Sequence, residues 1–198
     1  MIIVVAALKG GVGKTTTSVY LSALSAGARR PTTLIDADPQ ASAADWVDSS
    51  QDEVFAGVEL TEAPTERLLT KALGAIGRDD TAVVDTPPGN ERLLAKAIDA
   101  ADIVVVPARV GGVETARVEA VLELVPVNVP AGLVICSART YTRDYWDAVS
   151  GWKDAQVSVW GAVPERVAIA AGPEGRLAED GLEAYRSVWR RAVRAGGA

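Results

Sequence analysis

Residues 2–16 read IIVVAALKGGVGKTT. Seven apolar residues run without interruption to Lys9; three glycines follow within four positions, and Lys-Thr-Thr then opens a helical pattern. An apolar run of this length, bounded by glycine, has the signature of a strand buried on both faces. No other stretch constrains the fold as strongly. A buried strand that passes through a tight glycine turn directly into a helix needs that helix to cross back over the sheet, so that the next strand lies parallel to the first.

The turn also carries chemistry. Gly10, Gly11 and Gly13 let the backbone curl until successive amides point inward, as phosphate oxygens require. The helix beginning after Gly13 adds the partial positive charge of its N-terminus. In this pattern Lys14 reaches the β and γ phosphates of a nucleotide, Thr15 offers its hydroxyl to Mg²⁺, and Thr16 supports the α-phosphate, with Val12 between the glycines. The ordinary pattern is Gly, four residues, then Gly-Lys-Ser/Thr. Here the first glycine position is Leu8, and an additional cation stands at Lys9.

The rest of the chain alternates short β-rich runs with helical segments. Strands are expected at 2–7, 32–36, 57–63, 81–86, 102–108 and 131–138, with a weaker edge candidate at 158–163. Helices are expected near 14–28, 40–48, 64–76, 90–100, 112–124, 142–152 and 175–194. This alternation gives an α/β fold with a doubly wound, mostly parallel sheet flanked by helices, the P-loop NTPase arrangement. The Pro/Gly clusters TPPGN and AAGPEG are loop-sized, and no repeat or linker divides the chain. The expectation is one domain over residues 1–198, without a preceding DNA-reading domain.

Two strand ends supply carboxylates. LIDADPQ carries Asp36 and Asp38, and AVVDTPPG carries Asp85. Acids at the C-terminal ends of strands lie on the ligand edge of an open α/β sheet. Asp85 suits the positioning of the metal's water shell; Asp36 and Asp38 suit the orientation of metal waters and of an attacking water. The alternative for each is a helix cap. Composition narrows the chemistry further. The chain has 198 residues, no histidine, one cysteine and a net charge of −6. Without histidine, catalysis falls to carboxylates, lysines, hydroxyls, backbone amides and a hard metal. One cysteine, Cys136, excludes an intrachain disulfide framework and fits a buried thiol in a cytoplasmic protein. The acidic balance excludes a chain that is basic all over, but not a local basic patch.

Taken together, KGGVGKTT (9–16), DADPQ (36–40), DTPPG (85–89) and DIVVVP (102–107), with the weaker VPERVAI (163–169), resemble the ParA/MinD-type deviant Walker ATPases. The DxDPQ form is closest to the small ParA partition proteins. The resemblance implies a Mg²⁺-dependent ATPase that binds ATP and ADP and dimerises around ATP. Lys9 would reach the partner's phosphates; Lys14 and Thr15 would be the loop lysine and magnesium ligand. Asp36 and Asp38 would be the switch acids, Asp85 the metal-site acid, and Pro107 a neighbour of the adenosine. It further implies non-specific DNA binding, association with the nucleoid, and a ParB-type adaptor that stimulates hydrolysis. Many relatives place an asparagine near the adenine after the strand that here reads VICSAR, where this chain has Ser137 and Arg139.

One further surface suits such a role. EAYRSVWRRAVRAGGA places Arg186, Arg190 and Arg194 four apart, on one helix face, with Leu182, Tyr185, Trp189 and Val193 expected to pack on the domain. The alternative is an arginine face that only complements the helix dipole. Arg139, Arg143, Arg166 and Arg176 are further candidates for such contacts. A lipid-bound C-terminal helix, as in MinD-like relatives, is the competing reading. Small-molecule ligases and iron-protein ATPases of the same fold are disfavoured by the second lysine and by the single cysteine.

Overall fold

The computed structural model describes residues 1–170 and 176–197. Residues 171–175, which hold most of the AAGPEG loop and the first residue of the expected last helix, lie outside them. The strands are β1 (Ile2–Val5), β2 (Thr32–Asp36), β3 (Val58–Glu62), β4 (Thr81–Asp85), β5 (Ile103–Ala108), β6 (Ala131–Ala138) and β7 (Val159–Pro164). The helices are α1 (Lys14–Gly27), α2 (Ser42–Ser49), α3 (Glu66–Gly74), α4 (Glu91–Asp99), α5 (Gly112–Glu123), α6 (Arg143–Asp154), the single turn α7 (Val167–Ala170) and α8 (Glu179–Ala195). All seven expected strands form. The structure adds α7 and a 3-10 turn over Glu53–Gly57, neither of which the sequence pattern announced.

The seven strands make one sheet in the order β3-β2-β4-β1-β5-β6-β7, with every pairing parallel. β1 is central, which is why its sequence is apolar throughout. Alternate residues serve opposite faces: Ile3 and Val5 join a core with α1, α2 and α8, while Val4 and Ala6 join a core with α3, α4 and α5. β7 is the edge expected from its weaker pattern, and Arg191 of α8 donates from Nη1 to the Val159 carbonyl at 2.7 Å.

Close approach fixes α8 against this scaffold. A Cβ on Gly181 would lie 2.6 Å from the Tyr20 ring, and one on Gly161 would lie 2.6 Å from Val188. Glycine at both places lets the helix seat itself between α1 and β7. The buried residues of α8 are Gly181, Tyr185, Val188 and Ala192. The expected packing face therefore shifts: Tyr185 is buried as anticipated, while Leu182, Trp189 and Val193 are only partly covered. No helix among the described residues is long and apolar enough to cross a membrane.

Candidate functional site

Register places the site. β4 lies between β1 and β2, so Val5, Asp85 and Asp36 stand side by side at the C-terminal sheet edge: Val5 pairs with Asp85, and Asp36 pairs with Asp85. The loop of residues 9–13 leaves β1 at this edge and turns into α1.

The helix beginnings differ in a way that matters. Thr65, Asn90 and Thr142 cap α3, α4 and α6 with side-chain oxygens that accept from Leu68, Leu93 and Tyr145. α1 has no side-chain cap; its preceding residue is Gly13, at φ 103° in the left-handed region, and Gly11 also turns with φ 74°. The first amides of α1 are thus left to another acceptor, and they border a cavity of about 530 Å³. That size lies within the roughly 300–1,000 Å³ typical of small-molecule sites.

Residues 10–16 form one wall of the cavity, together with Asp38, Pro88 and Arg109. Cys136, Ser137, Tyr185 and residues 163–167 also line it. Lys14 is buried and its Nζ donates to the Lys9 carbonyl at 2.8 Å. Burial pushes its pKa down, opposed by the charges of Asp85 and Asp38. Lys9 is exposed and borders a separate small recess with Leu8, Val12 and Val118, not this cavity.

Asp85 is the most perturbed acid here. It is 1% exposed, and it accepts from Thr15 Oγ1 and from Ser18 Oγ, each at 2.9 Å. Burial, and then the charge of Asp36, push its carboxyl up to about 7, against the two hydroxyls and Lys14. A buried acid with so little compensation is a place where a cation's charge stabilises most. Thr15 gives its proton to Asp85, so its oxygen lone pairs remain for such a cation. Among the described residues no cluster of three or more acids, cysteines or histidines makes a metal cage.

Asp36 does something different. Its Oδ1 accepts from the Asp38 amide at 3.0 Å, and its Oδ2 accepts from the amides of Ala43 and Ala44 at 2.9 Å each. Burial raises its pKa, while these amides pull it down. The helix-cap alternative describes this geometry: Asp36 anchors α2, whose preceding residue Ala41 has φ 50° and offers no cap of its own. Asp38 is the acid of this segment that lines the cavity, its Oδ1 accepting from the Gln40 amide at 2.9 Å.

Pro107 is not brought to the cavity. It pairs with Val134 inside β5–β6 and borders a separate small recess with Leu8, Val12 and Val118. Residues at the ends of β6 and β7 line the cavity instead. Ser137, at φ 51°, is one of them, and Arg139 Nε donates to Glu165 beside it. Ser18 and Tyr185 join the site without having been expected there. Ser18 had a signal, since it lies one turn after Lys14 and so shares its helix face.

Arg186, Arg190 and Arg194 are exposed along α8, as their spacing required. Of the other candidate arginines, Arg139, Arg143 and Arg166 are in ion pairs with Glu165, Asp147 and Asp180.

The family described as CobQ/CobB/MinD/ParA nucleotide binding domain matches residues 3–177. A maintenance of carboxysome distribution protein A from Gloeobacter kilaueensis is 44% identical over 100 residues, covering 50% of this chain and 44% of that protein. A protein ParA from Rhizobium radiobacter is 34% identical over 109 residues, covering 54% of this chain and 48% of that one. The match thus spans about half the length of these relatives. A plasmid partition protein of Borrelia burgdorferi B31, solved with AMPPNP, superposes with a TM-score of 0.80 at 21% identity, covering 98% of each chain.

Proposed function

The chain belongs to the CobQ/CobB/MinD/ParA nucleotide binding domain family, and from that premise we propose that it is an ATP-hydrolysing partition switch. ATP brings two copies together, the dimer binds DNA without sequence preference, and a ParB-type adaptor stimulates hydrolysis. The observation that carries this reading is one cavity lined by an uncapped helix start, Lys14 and Thr15, with Thr15 hydrogen-bonded to the buried Asp85 behind it. Similarity to both a ParA and a carboxysome-distribution protein supports the shared element, a nucleotide-timed positioning device.

In this reading each residue has a role. Residues 10–16 hold the phosphates with backbone amides and Lys14. Mg²⁺, when bound, neutralises phosphate charge, and Thr15 with Asp85 behind it would hold it. Asp36 sets the position of Asp38, which orients the attacking water. Hydrolysis then proceeds by positioning and electrostatics, as in phosphoryl transfer generally. Lys9 serves the second nucleotide, because Lys14 already serves the first.

Lys9→Ala is expected to bind ADP as the parent does and to stay monomeric with a non-hydrolysable ATP analogue, read by light scattering. A dimer of parental stability in that variant refutes the trans role. Replacing Arg186, Arg190 and Arg194 with alanine should abolish ATP-dependent DNA retention and lower the salt slope by about 1 for each phosphate no longer neutralised. Unchanged DNA binding removes α8 from the interface. Binding to anionic vesicles in place of DNA would support a MinD-like reading, against which stands the burial of the apolar face of α8.

A further inference from the structure

The last helix reaches the back of the phosphate loop. Tyr185 is fully buried, and its hydroxyl lies 2.9 Å from Thr17 Oγ1 and 3.9 Å from Cys136 Sγ. Thr17 in turn donates its amide to the Gly13 carbonyl at 2.9 Å, closing the first turn of α1. On the other side of Gly13, a Cβ would meet Cys136 Sγ at 3.0 Å. Thr17 thus bonds the carbonyl of the left-handed loop glycine and Cys136 closes off the space where its side chain would stand, and the Tyr185 hydroxyl touches both residues. Tyr185 also lines the nucleotide cavity itself. Its ring is fixed by stacking on Tyr20, with centroids 4.9 Å apart, and Tyr20 accepts from the Ala178 amide at 3.0 Å just before α8.

We propose that Tyr185 is a positioning residue of the nucleotide site: through Thr17 and Cys136 it fixes Gly13 and the first turn of α1 in the conformation that receives phosphate. The proposal rests on the nucleotide-binding reading above. Tyr185 touches no reacting atom in this scheme. Burial holds its hydroxyl well above the usual tyrosine range, so it stays protonated and keeps a proton to share with Thr17. A hydroxyl needed only for packing would lower stability alike with and without ligand. One that holds the loop changes how well phosphate is received.

The test uses the full chain with ADP and Mg²⁺ as the probe. Tyr185→Phe and Thr17→Val each remove one end of the hydrogen bond, and Thr17→Ser keeps it. The first two are expected to weaken ADP about tenfold and to raise the KM for ATP with a smaller change in kcat. The loss corresponds to one neutral hydrogen bond. The double variant should be no weaker than either single one, because the partners act as a unit, and Thr17→Ser should restore affinity. Melting without ligand identifies which variants are folded. Parental ADP affinity in folded Tyr185→Phe or Thr17→Val overturns the proposal, as does simple additivity in the double variant. A parent protein without affinity for ADP overturns both this proposal and the nucleotide reading; binding by the parent with unchanged variants overturns this one alone.

Discussion

Lys14→Ala is expected to weaken nucleotide binding by about 30-fold to several thousandfold, since truncating a buried, hydrogen-bonded charge facing an opposite charge costs about 2–5 kcal/mol. Lys14 is 6% exposed and already held, through Nζ, on the Lys9 carbonyl. The cation is thus placed over the loop before a ligand arrives, with little side-chain freedom left to lose on binding. Its removal also takes away the positive charge that opposes the raised pKa of Asp85. The first effect makes the loop poorer for phosphate, and the second makes Asp85 poorer for a cation bound beside it. Titration with ADP in the presence of Mg²⁺ checks the outcome, and retained micromolar affinity refutes the assignment of residues 9–16 as the phosphate loop.

Asp85→Asn is expected to move stability and activity in opposite directions. The carboxyl is raised from 3.8 to about 7. Between those values the folded chain binds more protons than the unfolded one, so the ligand-free protein loses stability as pH rises from about 4 to about 7 and levels off above. At pH 8 the buried charge costs on the order of 3–5 kcal/mol, the free energy of moving the carboxyl from 3.8 to about 7. Asparagine can still accept from one of the hydroxyls of Thr15 and Ser18 while carrying no charge. The variant should melt higher than the parent at pH 8 in EDTA, and its pH slope across that window should flatten. Hydrolysis should fall by about 10²–10³, the effect of losing one preorganised electrostatic group. An unchanged melting temperature at pH 8 would show that Asp85 is not a strained acid.

Much of the fold and site is legible in the sequence because it is local. The loop, its lysine and threonine lie within eight residues, and strand ends announce themselves where an apolar run meets an aspartate. The parts that are not legible depend on what a side chain finds after folding. Asp36 and Asp85 look alike as acids ending apolar strands. One meets the amides of Ala43 and Ala44, and the other meets hydroxyls on α1. Pro107 takes its expected role from its place in a motif, but a residue inside the β5–β6 ladder is positioned by its pairing with Val134. The packing stripe of α8 is displaced because Gly181 and Gly161 draw the helix inward. Tyr185 has no local signal, since its partner Thr17 is 168 residues away in the chain.

That separation sets an order of events during synthesis. Thr17, in the first turn of α1, leaves the ribosome well before Tyr185, the hydroxyl proposed to hold it. At about 5–20 residues per second, roughly 10–30 s pass between the appearance of Thr17 and that of Tyr185. The central strand β1 must wait as well for β4 and β5, its neighbours on either side. On the proposal made above, a nascent chain carries the glycine loop before the residue that positions it, and its full nucleotide affinity would follow only the docking of α8.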